Sequence, residues 1–334
     1  MNTRFLKGGL LVIALVFLFG NSIPAKAIKI ENLENVNLAN DFVVGPGKQE
    51  IVLDPSQSVM KFINVTNRFP QARKFKLELE DFQGKNEIDS PIQLLGLLKG
   101  PYSLKDYIKP EAMEFTLQSG DRATIAVQIS APKDAVPGGL YGSVIVTTQP
   151  DVEDQKTDPT LIKGGVDVKS RIAVLYFVRV SGPVKEDGAL TAFKTDKKLY
   201  QKGPMELFYT YKNNGSVYLN PYGYVEIKNL YGTVVDRVKI DPYYVLPGSE
   251  RSMKKSWDHG FMLGRYKAEI FLNRGYTADN ANKEIDVIDR QIVTFWVMPW
   301  KVVVPTLLGI VLLIWLIVWI KKNVHINIGQ KPQA

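Results

Sequence analysis

Residues 74–82 read Lys74-Phe75-Lys76-Leu77-Glu78-Leu79-Glu80-Asp81-Phe82. Phe75, Leu77, Leu79 and Asp81 fall on one side of a period of two; Lys74, Lys76, Glu78, Glu80 and Phe82 fall on the other. That period, with one apolar side, is the pattern of a half-buried antiparallel strand. Working outward, Ser58–Thr66 (SVMKFINVT) repeats it with Val59, Lys61, Ile63 and Val65 on one face, and Asn67-Arg68-Phe69-Pro70 supplies the turn between the two. Met113–Leu117, Ala123–Ile129, Tyr141–Thr147 and Arg171–Val180 extend the series, with turns at Ser119-Gly120-Asp121 and Pro137-Gly138-Gly139. Gln83–Pro110 lacks a strand pattern, and Tyr102–Ile108 is expected as a short helix capped by Ser103. Asp151–Val168 is polar and reads as a loop.

Gly182-Pro183 ends this run, and a second series follows. Leu190–Lys194, Met205–Asn213, Gly223–Asn229, Thr233–Ile240, Arg251–Ser256, Gly264–Leu272 and Asp286–Trp296 read as strands. Asn213-Asn214-Gly215 and Leu230-Tyr231-Gly232 read as turns. Many short strands at regular spacing predict a β-sandwich, and two such series predict two. The expected fold class is all-β: two tandem Ig-like β-sandwich domains, residues 28–182 and 183–298, plus one C-terminal transmembrane α-helix.

The chain ends set the expected location. Arg4 and Lys7 precede an apolar run, Gly8–Gly20, and Ala25-Lys26-Ala27 has the small-x-small form of a cleavage site, so residues 1–27 read as a signal peptide. Val302–Ile320 carries no charge and at ~1.5 Å per residue is about 28 Å long, the thickness of a bilayer core. Pro305 is expected in its first turn, where a missing N–H costs little. Trp296, Trp300, Trp315 and Trp319 mark interfaces, and Lys321-Lys322 hold the end in the cytoplasm. Residues 299–322 thus read as the span with its flanks, 323–334 as a cytoplasmic tail, and 28–301 as an extracytoplasmic ectodomain of a single-pass cell-membrane protein. The short junction through Trp296, Pro299 and Trp300 is expected to hold the second domain close to the bilayer.

The net charge of +8 would suggest nucleic acid, but the signal and the tail each carry +3 with no acid, leaving +2 for residues 28–301. No nucleic-acid partner is expected. Residues 28–182 carry 18 basic and 20 acidic side chains, and residues 183–301 carry 18 and 14, so the membrane-proximal domain is the more basic one. With no cysteine, each domain depends on its own core.

Several motifs resemble a family. Asp54-Pro55-Ser56-Gln57-Ser58 followed by Asn64-Val65-Thr66-Asn67 resembles the opening of Ig-like surface domains. Ala131-Pro132 and then Pro137-Gly138-Gly139-Leu140-Tyr141-Gly142-Ser143-Val144 resembles the peptidoglycan-binding domain of WxL-interacting proteins. Asn213-Asn214-Gly215, Pro221 to Ile227, Tyr231-Gly232, Leu246-Pro247-Gly248-Ser249 and Gly264-Arg265-Tyr266 resemble that family's host-binding domain. The resemblance implies a cell-surface protein that engages wall polymer or a partner surface protein. It identifies no binding residue here: the glycines read as turn residues of positive φ and Tyr141 as a core residue.

No enzymatic constellation is legible. The only histidines are His259, in Trp257-Asp258-His259-Gly260, and His325, in the tail. No G-x-S-x-G, P-loop or H-E-x-x-H motif is present. Glu78, Glu80 and Asp81 read as solvated alternation, and Asp151-Val152-Glu153-Asp154 lacks calcium-loop spacing. No catalytic residue, metal site or cofactor is assigned. The expected function is non-enzymatic binding or adhesion at the cell surface. The alternatives are a membrane-tethered chaperone or assembly factor for surface subunits, presenting an edge strand, and a wall-active hydrolase. A partner site is expected on the outer domain or in the cleft between the two.

Overall fold

The computed structural model describes residues 28–34, 36–149, 170–258, 260–275 and 288–323. The signal segment, the polar stretch Asp151–Val168, His259 and the tail from 324 onward lie outside the described residues. The chain divides into two compact units. One comprises Met1–Asp81, Gly96–Val136 and Leu140–Val180; the other comprises Phe82–Leu95, Pro137–Gly139 and Ser181–Ala334.

The first unit is a sandwich of two sheets. Its strands are β1 (Lys29–Asn32), β2 (Phe42–Gly45), β3 (Lys48–Leu53), β4 (Ser58–Asn67), β5 (Arg73–Gly84), β6 (Ile92–Leu94), β7 (Ile108–Pro110), β8 (Glu114–Leu117), β9 (Asp121–Ser130), β10 (Gly138–Gln149) and β11 (Arg171–Val180). The ends of β5 and β10 and all of β6 group with the second unit. Sheet A has the order β1-β9-β4-β2 with β7 beside β9; sheet B has the order β3-β11-β10-β5-β6 with β8 beside β5. The period-two side chains meet between the sheets: Ile63 and Val65 of β4, Ile125 and Val127 of β9, and Phe75 and Leu77 of β5 are buried together. Phe75 packs edge-on to Phe42 at 5.4 Å and stacks on Phe115 at 5.5 Å. Burying such side chains contributes about 1.5–3 kcal/mol each. Tyr141 is a core residue, edge-on to Phe177.

Residues 83–110 differ from the sequence reading. They hold β6 and β7, and the expected helix is a single 3-10 turn, Lys105–Tyr107, without a side-chain cap. Ser103 does not cap it; its hydroxyl is buried without a partner. The role falls to Asp81 of β5, whose Oδ1 accepts the Leu104 and Lys105 N–H groups at 3.0 and 2.9 Å and whose Oδ2 accepts the Gly100 N–H at 3.1 Å. Asp81 is therefore fully buried, and Glu80 nearly so, rather than solvated. A carboxylate loses its water at little net cost when backbone donors replace it.

The second unit is a sandwich of β12 (Gly188–Thr195), β13 (Leu199–Tyr200), β14 (Met205–Asn213), β15 (Tyr222–Lys228), β16 (Val234–Ile240), β17 (Glu250–Trp257), β18 (Gly264–Asn273) and β19 (Ile288–Val297). Sheet C is β12-β14-β17, and sheet D is β13-β19-β18-β15-β16. β14 alternates without a break, with Leu207, Tyr209 and Tyr211 inward against Val225, Ile227, Trp257, Ile270 and Phe295. Gly232 sits at a φ of 82° in the β15–β16 turn. Gly223 answers a different need: a Cβ there would stand 1.9 Å from the Phe271 carbonyl oxygen, so close strand approach demands glycine.

Helix α1 (Trp300–Asn323) follows β19 after Met298 and Pro299. It is long and apolar enough to cross a membrane and buries none of its residues against the protein. It starts earlier than the sequence reading put it, so Pro305 lies in its second turn rather than its first. Its ring takes away the hydrogen bond that the Lys301 carbonyl would otherwise accept.

Candidate functional site: an open strand edge

In the first unit the opening strand changes sheets. Residues before Gly45-Pro46-Gly47 form β2, antiparallel to β4 in sheet A; residues after it form β3, parallel to β11 in sheet B. A glycine–proline–glycine break is where a strand leaves its ladder. β2 covers β4 only from Asn64 to Asn67. Ser58–Ile63 pairs with β9 on one side and with no described strand on the other.

The geometry of this bare edge follows from strand chemistry. The Phe62 carbonyl accepts a hydrogen bond from the Gln49 side chain at 3.1 Å, so it points away from β9. The N–H and C=O of one residue share a side, and sides alternate along a strand. Met60 and Phe62 therefore both turn their backbone groups to the open side. Their side chains are exposed on the outer face of sheet A, Phe62 by 56%. Gln49 of β3 reaches this edge, while Ile51 and Leu53 further along β3 are buried in the core. Lys61 shares the inward side of β4 with Ile63. A charge in that position is a device by which proteins limit indiscriminate pairing at an edge. β11 has a shorter bare stretch: on the side away from β10, β3 covers it from Leu175 to Val180 and no described strand covers Arg171–Val174. There Arg171 binds Glu80 at 2.5 Å and Glu78 at 3.2 Å, and the hydrogen bond to Glu80 holds its guanidinium above its usual pKa.

The second unit offers a surface of different chemistry. On the outer face of sheet D, Tyr224 and Phe271 stack at 5.1 Å, with Arg237 5.7 Å from the Tyr224 ring and Arg290 5.0 Å from the Phe271 ring. Beside them Glu226 and Glu269 stand directly opposite each other. Lys228 binds both, at 3.1 and 2.9 Å, and Arg237 binds Glu226 at 2.8 Å. The hydrogen bond from Lys228 is the first cause that holds the Glu226 carboxyl below its usual pKa. Tyr200, whose hydroxyl donates to Asp196, is pushed up to about 12, by burial first and by that bond second.

Among the described residues no group of three or more His, Cys, Asp or Glu is placed to hold a metal. The amino-acid sequence alone identifies no binding residue and does not disclose the open β4 edge. Its signal was present in Gly45-Pro46-Gly47, between two apolar triplets, but the sheet switch it marks is a tertiary event.

No protein-family model and no curated protein matches the chain. Solved structures of similar fold include the class 5 fimbriae chaperone CfaA (11% identity, 76% of this chain and 99% of that chain, TM-score 0.38). The chaperone DraB of E. coli (13%, 77% and 95%, 0.32) is another. So is a chain of the CsuC–CsuE chaperone–tip subunit pre-assembly complex of Acinetobacter baumannii (12%, 77% and 99%, 0.34). These likenesses concern the Ig-like β-sandwich fold alone.

Proposed function

We propose that this chain is a membrane-tethered, extracytoplasmic assembly factor that holds extended segments of surface proteins and carries out no covalent chemistry. The observation that carries the reading is the Ser58–Ile63 edge of β4, which no described strand covers: the Met60 backbone groups and the Phe62 N–H face the open side beside two exposed apolar side chains, and only the Gln49 side chain, on the Phe62 carbonyl, would have to give way. An extended segment laid there would satisfy those groups and continue sheet A beyond β2, with alternate side chains over Phe62 and against Ile63. Lys61 keeps the hold reversible. In this reading α1 crosses the membrane, Lys321 and Lys322 remain on the cytoplasmic side, and the sandwiches stand outside.

The test is Phe62→Pro in the full-length chain. Proline removes an N–H that faces the open side, so the ladder to β9 survives while strand addition does not. The variant should fold, and should lose its complexes with exported surface proteins and the surface assembly that depends on them. Retention of both would refute the proposal.

A second reading, retention of an anionic wall polymer, is favoured by the arginine-flanked Tyr224–Phe271 pair, which lies in the second unit and not in the domain whose motifs resemble the peptidoglycan-binding one. It calls for retention of the ectodomain on purified cell wall that Tyr224→Ala with Phe271→Ala abolishes.

A further inference from the structure

At the end of the second unit that leads into α1, the strand register brings four segments together. β18 begins where β19 ends, Gly264 opposite Val297. The last residue of β15, Lys228, pairs with Lys267 of β18, so the Leu230-Tyr231 turn lies at the same end. Leu199 of β13 pairs with Trp296. Phe261 and Leu263 lie in the link just before Gly264. This end is unusually apolar for a surface: Tyr231 is 89% exposed, Phe261 69% and Leu230 64%, and Leu199, Leu263 and Trp296 are exposed with them.

The same segments are basic. Residues 196–204, 228–233, 257–267 and 294–301 hold seven Lys and Arg but only two acids, Asp196 and Asp258. Lys228, Arg265 and Lys267 also line a shallow cavity of about 280 Å³ beside Leu230 and Thr294. Lys228 is neutralised by Glu226 and Glu269, and Lys267 shares Glu269 at 3.9 Å with its side chain still partly exposed, whereas Arg265 meets no carboxylate among the described residues.

The connection to α1 leaves little freedom. The Trp296 and Met298 N–H groups bond to the Lys198 and Tyr200 carbonyls, both at 2.8 Å. The Val302 and Val303 N–H groups then bond back to the Pro299 carbonyl at 2.9 and 3.0 Å. Two residues reach at most about 7 Å. That is about the depth of a headgroup layer, given ~30 Å of hydrocarbon in a bilayer of ~40–45 Å.

From exposed apolar loops, surplus cations and this short tether together, we infer that the α1-proximal end of the second unit is seated in the headgroup layer of an anionic bilayer. The Leu230-Tyr231 and Phe261–Leu263 segments enter the interface, and Arg265 and Lys267 meet lipid phosphate. Apolar loops with basic neighbours bind membranes through buried area and charge together. Trp296 and Trp300 then occupy the belt where indole rings are favoured. The seat holds the sandwich upright over its own anchor. This inference rests on the reading that α1 crosses the bilayer.

The chain has no cysteine, so single positions can be labelled uniquely. Full-length Phe261→Cys, Tyr231→Cys, Tyr222→Cys and Leu312→Cys, each carrying an environment-sensitive fluorophore, are placed in nanodiscs with lipids brominated on the acyl chain. Tyr222 lies at the opposite end of β15 and Leu312 lies within α1. Labels at 261, 231 and 312 should be quenched and the label at 222 should not. Phosphatidylglycerol should deepen the quenching at 261 and 231 relative to a purely zwitterionic disc, and Arg265→Glu with Lys267→Glu should remove that gain. Quenching at 312 with none at 261 and 231 overturns the inference and leaves the span intact. No quenching at 312 overturns the span and the inference with it.

Discussion

β4 and β14 hold the same place in their two sandwiches, yet six of the ten residues of β4 lack a described neighbour on one side, whereas β14 is flanked on both sides from Leu207 to Lys212. Each ends on a fully buried asparagine that ties down the loop after it. Asn67 donates to the Gln71, Leu117 and Gln118 carbonyls and accepts from the Phe69 N–H. Asn213 donates to the Val217 and Val245 carbonyls and accepts from the Gly215 N–H. Counting back five residues from each asparagine sets Phe62 against Phe208. Phe208 pairs with Lys194 on one side and Lys254 on the other; among the described residues Phe62 pairs with Ala126 alone. The difference traces to where the opening strand changes sheets. In the first unit it gives four residues to β2 and six to β3; in the second it gives eight to β12 and two to β13. An early switch strips the neighbouring strand, and a late one covers it.

Proline breaks this comparison most sharply. Phe208→Pro removes a ladder hydrogen bond whichever way its N–H faces and strands its partner carbonyl, and should cost about 2–3 kcal/mol. Phe62→Pro should cost about 1 kcal/mol or less, because its N–H faces the open side. Urea unfolding of both variants checks the contrast. Asparagine comes next. Asn213→Ala strands two carbonyls and an amide in the interior, and should cost about 2–3 kcal/mol. The five tryptophans begin at Trp257, so indole fluorescence reports the second unit. Asn213→Ala should shift that transition, and Asn67→Ala should shift only a probe placed in the first unit.

A smaller effect is expected at Lys61. Lys61→Val removes the inward charge from the bare edge and should raise self-association by sedimentation, whereas a change at exposed Lys194 of β12 should not. The smallest effect concerns acid. Glu226, Asp241 and Glu114 are held below their ordinary values, each first by a lysine hydrogen bond, from Lys228, Lys239 and Lys74. A depressed carboxylate contributes stability above its unfolded value, 4.5 for Glu and 3.8 for Asp, and loses it as pH falls through the folded value. Melting temperature should therefore drop below about pH 4.5, and Glu226→Gln should make that drop shallower.

Alternation was enough to read the interior strands of both units: Arg171–Val180 and Met205–Asn213 stand where the sequence places them. Alternation is silent where long-range partners decide. Asp81 looks like one more charge in a solvated run, but it is buried by N–H groups 19 to 24 residues away. Ser103 looks like a cap, but the turn it precedes is held by that same Asp81. The bare edge is hidden for a related reason. Met60 and Phe62 alternate like residues of any flanked strand, and only the path of β3 shows that their neighbour has gone to the other sheet.

The most direct measurement is photo-crosslinking from Met60 in the full-length chain in intact cells, with and without Phe62→Pro, against Phe208 as control. The account expects adducts from Met60 to extended segments of exported surface proteins, their loss when residue 62 is proline, and none from position 208. Equal yields from 60 and 208, or adducts at 60 that survive the proline, would contradict it.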